Sequence, residues 1–256
     1  NKHAFYFNKF KNLKFKFFKK KSKIKNFKDL NYFKGYKKKV FVGYFLRQHP
    51  GVLYLKKILK KKKHKVRHVN FEVGYDLKKW RKNRDYKSSV SAKKGLGGGA
   101  LFELSHEIDL ATWLFGYPTE IFCSKKKYSK LKINADDLSS VYLNYPKKKM
   151  SINIHLDMIQ KIYTRNIKII LDDENIYFDF KKNLIQHLKN NKIKKVKFFT
   201  NFDLLLRRYL NLFLSNSYTN SVNSEISNLA SSIKLSKLLF NLEKSNKKKK
   251  NLKLKL

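Results

Sequence analysis

Residues 97–109 read GGGALFELSHEID: three glycines, then an apolar run interrupted by Glu103, His106 and Asp109. The apolar spacing continues to Phe115 and stops at Gly116–Tyr117–Pro118, so one helix is expected over Ala100–Phe115. Glu103, His106 and Asp109 recur at i, i+3 and i+6, which places them along one side of that helix. Ionisable groups among Ala, Leu, Phe, Ile and Trp are costly to bury unless paired. A histidine flanked by carboxylates is held in one orientation and kept protonatable near neutral pH, which suits proton transfer. The pattern alone leaves this open beside two plainer readings, a hydrogen-bonded core histidine and the polar face of an amphipathic helix. A carboxylate metal site would need a second Glu-x-x-His, and the sequence has none, so no metal is expected.

The background makes this stretch stand out. Basic residues fill 61 of 256 positions for a net charge of +43, so a window of about 30 residues should hold about seven. The window Gly95–Ser124 holds no Lys or Arg. Only seven of the basic residues are arginine, the side chain that grips phosphates in a fork. With Asn, Ile, Phe and Tyr also abundant, the lysines read as drift on a tolerant surface, with non-specific polyanion binding at low salt and no specific nucleic-acid recognition. The single cysteine, Cys123, allows no internal disulfide and points to a reducing compartment. No apolar run is long enough to span a membrane and no secretory signal is legible, so a cytoplasmic protein is expected. The chain opens on Asn1 rather than Met, and is read as a fragment or a processed form.

Outward from the central stretch, Lys39–Tyr44 reads as a short buried strand, Val52–Lys60 as a helix running into a solvated basic end, and Val66–Tyr75 as a strand. Residues 1–38 show weak periodicity, read as a strand end and a helix. Asp76–Lys94 is an irregular, aromatic-studded loop of a length that is usually functional. Gly95–Ala100 (GLGGGA) has the letters of a dinucleotide-binding turn, but no buried strand precedes it; its glycines are expected to let backbone approach a ligand or a neighbouring element. Downstream, alternating segments at 121–124, 139–145, 150–158, 166–171, 176–180 and 194–199 read as an antiparallel meander. Helices at 202–214 and 225–242 follow. The expected class is α/β in the α+β sense: an open, mainly antiparallel sheet with helices on one face.

Three blocks, VGYFLRQHP (42–50), GYDLKKWRKNRDYKSSVSAKKGLGGGALFELSHEIDLATWLFG (74–116) and IHLDMIQKIYTRNIKIILDDENIYFDF (154–180), resemble in order the Gfo/Idh/MocA family of glucose–fructose oxidoreductases and inositol dehydrogenases. The resemblance implies residues 1–50 as the end of an NAD(P)-binding Rossmann domain, its last strand leading into a substrate-binding C-terminal domain over residues 51–256. It implies hydride transfer between a sugar- or polyol-like substrate and NAD or NADP. By the family's motifs, His106, Glu103 and Lys9 are catalytic candidates; Trp80, Arg81, Asp85, Tyr86 and Asp109 are substrate-binding candidates; and Arg47 lies on the cofactor side. A homo-oligomer formed through the sheet is also implied. Departures are clear. The strand–glycine-turn–helix units of a Rossmann domain do not precede residue 39. The family's Glu-Lys-Pro run would fall on Asn8, Lys9 and Phe10, Phe45 replaces its usual Asn, and the turn at Asp173–Glu174–Asn175 lacks its glycines. A non-catalytic remnant or binding module is therefore the alternative reading, and a non-specific polyanion binder the third.

Overall fold

From Val66 onward, buried side chains recur at every second position, the period that lays one face of a strand on a core. The computed structural model of the chain describes residues 41–81, 83–218 and 225–254. In chain order its regular elements are β1 (Phe41–Val42), α1 (Pro50–Lys62), β2 (Val66–Gly74), α2 (Ala100–Glu103), α3 (His106–Phe115), β3 (Glu120–Lys126), β4 (Leu138–Tyr145), β5 (Met150–Asp157), β6 (Thr164–Leu171), β7 (Asn175–Asp179), β8 (Leu184–Lys189), β9 (Lys192–Lys197), α4 (Phe202–Tyr218), β10 (Ser227–Asn228), α5 (Leu229–Lys248) and β11 (Leu252–Lys253). Nine strands form one sheet in the order β11-β3-β4-β5-β2-β6-β7-β8-β9. Every neighbouring pair is antiparallel except β2 and β5, which run parallel at its centre. This is the mainly antiparallel α+β architecture expected from the sequence.

One face of the sheet carries the core. Val69, Phe71 and Val73 of β2, Ile152 and Ile154 of β5, Ile167 and Ile169 of β6, and Ile176 and Phe178 of β7 are sealed under the helices. Each such side chain contributes ~1.5–3 kcal/mol of burial. Helix α5 presents Leu235, Leu238, Leu239 and Leu242 to the core beside β3, and its Ser245 accepts the backbone N–H of Cys123. The opposite face is open. In register across it run Phe122, Tyr142, Asn153, Asn70, Lys168, Tyr177 and Gln186, a polar and aromatic row.

Three expectations are corrected. The helix expected over Ala100–Phe115 is two helices, α2 and α3, separated by Leu104–Ser105. Two separate anchors account for the break. Asp136 accepts the N–H of Ala100 on its backbone oxygen and that of Leu101 on its carboxylate, fixing α2, while α3 is fixed from elsewhere through Asp109. β8 was not expected, because LIQHLK alternates too weakly in hydropathy to be read as a strand; the β7–β8 turn is set by Asp179, which accepts the N–H of Lys182, and by Asn183 with φ 50°. Of the strand expected at 39–44, Phe41–Val42 is strand among the described residues and Gly43–Tyr44 is not; Phe41–Val42 pairs with β10 in a separate two-stranded sheet. The element readings over residues 1–38 lie outside the described residues.

Two local devices set the geometry of the helical layer. Gly99 has φ 103°, and a Cβ there would lie 2.4 Å from the Asp136 carboxylate; one on Gly98 would lie 2.3 Å from the Val90 carbonyl. The glycines thus let the 90–91 backbone and Asp136 close on the start of α2, as expected for approach of a neighbouring element. At α1 the cap is His49, whose Nδ1 accepts the N–H of Gly51 while Nε2–H donates to Asn183 Oδ1. Burial pushes the imidazole pKa down to about 4.

Gly99→Ala is expected to lower unfolding free energy by at least ~1–3 kcal/mol, through a left-handed backbone and a steric conflict together, whereas Gly95→Ala, with open space around its Cα, should change it little. Equal urea midpoints for the two variants would refute this. His49 is neutral when folded, so the unfolded chain takes up its proton first as pH falls. Stability from this group is complete above pH 6.5 and lost between about 6.5 and about 4. The melting temperature of the wild type should therefore fall through that window relative to His49→Asn, which caps without titrating; parallel curves would count against it.

Candidate functional site

The site is built around α3, whose first residue is His106. Half-buried, its ring meets the rings of Tyr44 and Phe45 at centroid distances of 5.3 and 5.2 Å, both edge-on. Tyr44 Oη and Ser105 Oγ lie 3.4 Å apart, and burial with the Asp109 charge pushes the phenol up to about 12, so Tyr44 stays protonated at neutral pH. These partners come from the turn 44–48, packed where β1 leads into α1.

One turn further along α3, the Asp109 carboxylate is 1% exposed and receives a two-pronged hydrogen bond from Arg47, with Nε donating to Oδ2 at 2.8 Å. On another side of α3, Glu107 is held by Arg165 of β6, Nε to Oε1 at 2.8 Å, its side chain 2% exposed. Burial raises both carboxyl pKa values and the arginines pull against that rise. Trp113, two turns from His106, lies under the Lys56 ammonium, 3.5 Å from its ring centroid. Burial pushes that ammonium down to about 8.

The structure distributes the expected residues unevenly. It brings Arg47 and Asp109 together as a sealed pair. It places Glu103 at the end of α2, where Oε2 accepts the Ser91 hydroxyl at 2.9 Å and so ties α2 to the end of the loop 76–94. Within that loop Trp80 donates its indole N–H to the Tyr75 carbonyl, Asp85 caps a short turn by accepting the N–H of Lys87, and Tyr86 Oη accepts the N–H of Lys132. Arg81 is exposed. Lys9 lies outside the described residues. Sequence reasoning did not single out Tyr44, Glu107, Lys56 or Arg165. Glu107 sits inside the quoted motif but off its i, i+3, i+6 series, and its arginine is 58 residues away, a pairing no local spacing announces. Among the described residues no three His, Cys, Asp or Glu side chains converge as a metal centre requires.

The arrangement presents a half-buried imidazole on the same helix as carboxylates already committed to arginines. It can hold or move a proton at His106. Gly98 and Gly99 are filled against Val90, Ser91 and Asp136, so the backbone at these two glycines is closed to a pyrophosphate.

The sequence model of the GFO/IDH/MocA C-terminal domain matches residues 52–173. No curated protein matches the sequence. Among solved structures, an NAD-binding oxidoreductase from Klebsiella pneumoniae superposes with a TM-score of 0.75 at 14% identity, covering 91% of this chain and 72% of that one. The WlbA dehydrogenase from Bordetella pertussis, solved with NADH and UDP-GlcNAcA, gives 0.68 at 17% identity, over 91% and 69% of the two chains. A super-repressor mutant of Gal80p from Saccharomyces cerevisiae gives 0.75 at 9% identity, over 90% and 69%. At these identities the superpositions show a shared fold; the sequence match covers the segment from α1 through β6, including the whole of α2 and α3. Over residues 52–173 this chain is similar in sequence to the GFO/IDH/MocA C-terminal domain.

Proposed function

We propose that this chain is the substrate-binding, proton-transferring part of an NAD(P)-dependent oxidoreductase acting on a sugar- or polyol-like substrate. The observation that carries the reading is His106, half-buried between the edges of Tyr44 and Phe45 within the family-matching segment. Oxidation of a secondary alcohol removes a hydride from carbon and a proton from oxygen; His106 takes the proton and returns it in the reverse direction. NAD or NADP belongs to this reading through the family and the dehydrogenases of the same fold, and its cradle is assigned to residues outside those described, with residues up to about 50 as the end of that domain and the rest as the substrate domain.

In this assignment Glu103 positions the loop 76–94 through Ser91, and Trp80, Arg81, Asp85 and Tyr86 of that loop form the substrate side. Asp109 and Arg47 act from beneath, fixing α3 against the turn that carries Tyr44 and Phe45. Lys9 is kept as the second proton-handling group. UDP-GlcNAcA in WlbA supports a sugar-like substrate. The polar and aromatic open face of the sheet supports a homo-oligomer formed through it. No helix among the described residues is long and apolar enough to cross a membrane, and the single buried cysteine supports a cytoplasmic location.

A second reading, a non-catalytic binding module, is favoured by two observations: the backbone at Gly98 and Gly99 is closed to a pyrophosphate, and a super-repressor mutant of Gal80p shares the fold. NADH fluorescence titration separates the two. Saturable binding accompanied by reduction of NAD with a UDP-sugar supports the enzyme; binding or its absence without any turnover supports the module.

His106→Ala should lower kcat by ~10²–10⁴-fold while melting temperature and circular dichroism stay those of the wild type. Turnover retained in the variant removes His106 from the mechanism. Asp109→Ala should behave differently, costing ~3–5 kcal/mol of stability because Arg47 is left buried without its partner; a denaturation midpoint unchanged in that variant would refute the assignment of Asp109 as an anchor of α3.

A further inference from the structure

Away from α3, a groove of about 440 Å³ lies between the end of α1 and the β8–β9 hairpin. From α1 come Tyr54, Ile58, Lys61 and Lys62, spaced to lie on one stripe of the helix. The hairpin contributes His187, Lys189, Lys192 and Lys194. Asn190 and Asn191 turn the hairpin in two residues with φ 49° and 57°, so Lys189 and Lys192 stand directly opposite each other, as do His187 and Lys194. Like charges opposed across a strand pair destabilise it, and an anion between them would offset that cost.

Counter-charge in the groove is already spent. Glu174, the lining carboxylate, is 4% exposed and bound to Lys62 at 2.7 Å; neighbouring Asp173 is shared by Lys65 and Lys189. Among the described residues no ion pair engages Lys61, Lys192 or Lys194. The floor is aromatic: the Tyr54 ring packs on His187 and Phe198, and Tyr54 Oη lies 3.3 Å from His187 Nε2. Burial and the charges of Lys62 and Lys194 hold the His187 pKa below its ordinary value, against the pull of Glu174. The volume falls within the ~300–1,000 Å³ of small-molecule sites, which favours a compact ligand over a long strand.

We propose that this groove is a second binding site, distinct from the α3 site, for a nucleoside triphosphate, with the phosphates between Lys61, Lys192 and Lys194 and the base on the Tyr54–His187 floor. The proposal does not depend on the oxidoreductase reading.

Because the whole chain carries +43, the test needs a charge-matched control. ATP binding to the full chain is measured by calorimetry at ~0.15 M salt, where the Debye length is about 8 Å and diffuse attraction is screened. It is repeated for Lys192→Glu/Lys194→Glu and for Lys126→Glu/Lys127→Glu, an exposed pair at the far side of the sheet, with melting curves confirming that each variant folds. One-site saturation is expected in the wild type and the control pair, with affinity reduced at least tenfold in the groove pair. Equal weakening of both pairs, no weakening in the groove pair, or no saturation by ATP in the wild type overturns the proposal. So does a ten-nucleotide single strand that binds through the groove lysines when ATP does not.

Discussion

Two buried ion pairs, Arg47–Asp109 and Arg165–Glu107, fix helix α3, and the site depends on that fixation. Each carboxylate is almost without solvent, and a lone charge there would be strongly unfavourable. The arginines come from opposite directions, one from the turn before α1 and one from β6 of the sheet. Sliding or rotating α3 would strand a charge on at least one side. Asp109 accepts both prongs of a planar guanidinium, a geometry that lysine could not supply. In a chain where arginine is scarce, two of the seven arginines are spent on this helix. His106, at the start of α3, inherits its position from these pairs and from the two aromatic edges that meet its ring.

The second constraint acts on α2. Gly98 and Gly99 bring the chain so close to Val90, Ser91 and Asp136 that no side chain fits. The same closeness lets Asp136 take the first N–H groups of α2 and brings Ser91 within reach of Glu103. The loop 76–94 and α2 are therefore one mechanical unit, joined to α3 across the break at Leu104–Ser105. This is why the same glycine letters that elsewhere cradle a pyrophosphate serve a different end here. What decides is what stands opposite the glycines, and here it is carboxylate and carbonyl, which would repel a phosphate.

Much of this was legible in the sequence, for identifiable reasons. The window without lysine marks α2, α3 and the first half of β3, and the structure gives the cause: Ala100, Leu101, Ile108, Leu110, Ala111 and Phe115 are almost fully buried, where an ammonium would lose its hydration. The strands with strict alternation were readable because one face is sealed and the other wet. The break between α2 and α3 was not, since both halves keep helical spacing and the anchors that separate them, Asp136 and Arg47, are distant in the chain. β8 was hidden because its inward residues are Ile185 and His187, and an imidazole packed on Tyr54 does not look like core in a hydropathy pattern. Glu107 was missed for the same kind of reason: its partner is supplied by topology and not by spacing.

The fold persists at 9–17% identity with the structures it resembles, and the distribution of charge shows how. Lysine stands mostly where its head can reach water, on the solvent side of α1, along β9 and in the turns. Four of the six residues of β9, at the edge of the sheet, are lysines, and such an edge resists pairing with another strand by charge alone. The lysines of β9 thus also protect that edge. Lys56 is one exception. Its ammonium is half-buried over Trp113 and its pKa is pushed down to about 8, so its charge is set by its surroundings and no longer by the solvent. Lysine content by itself therefore says little about function in this chain. The lysines that stand out are those whose surroundings act on them, such as Lys56 over an indole of α3 and Lys189 and Lys192, opposed across the β8–β9 turn.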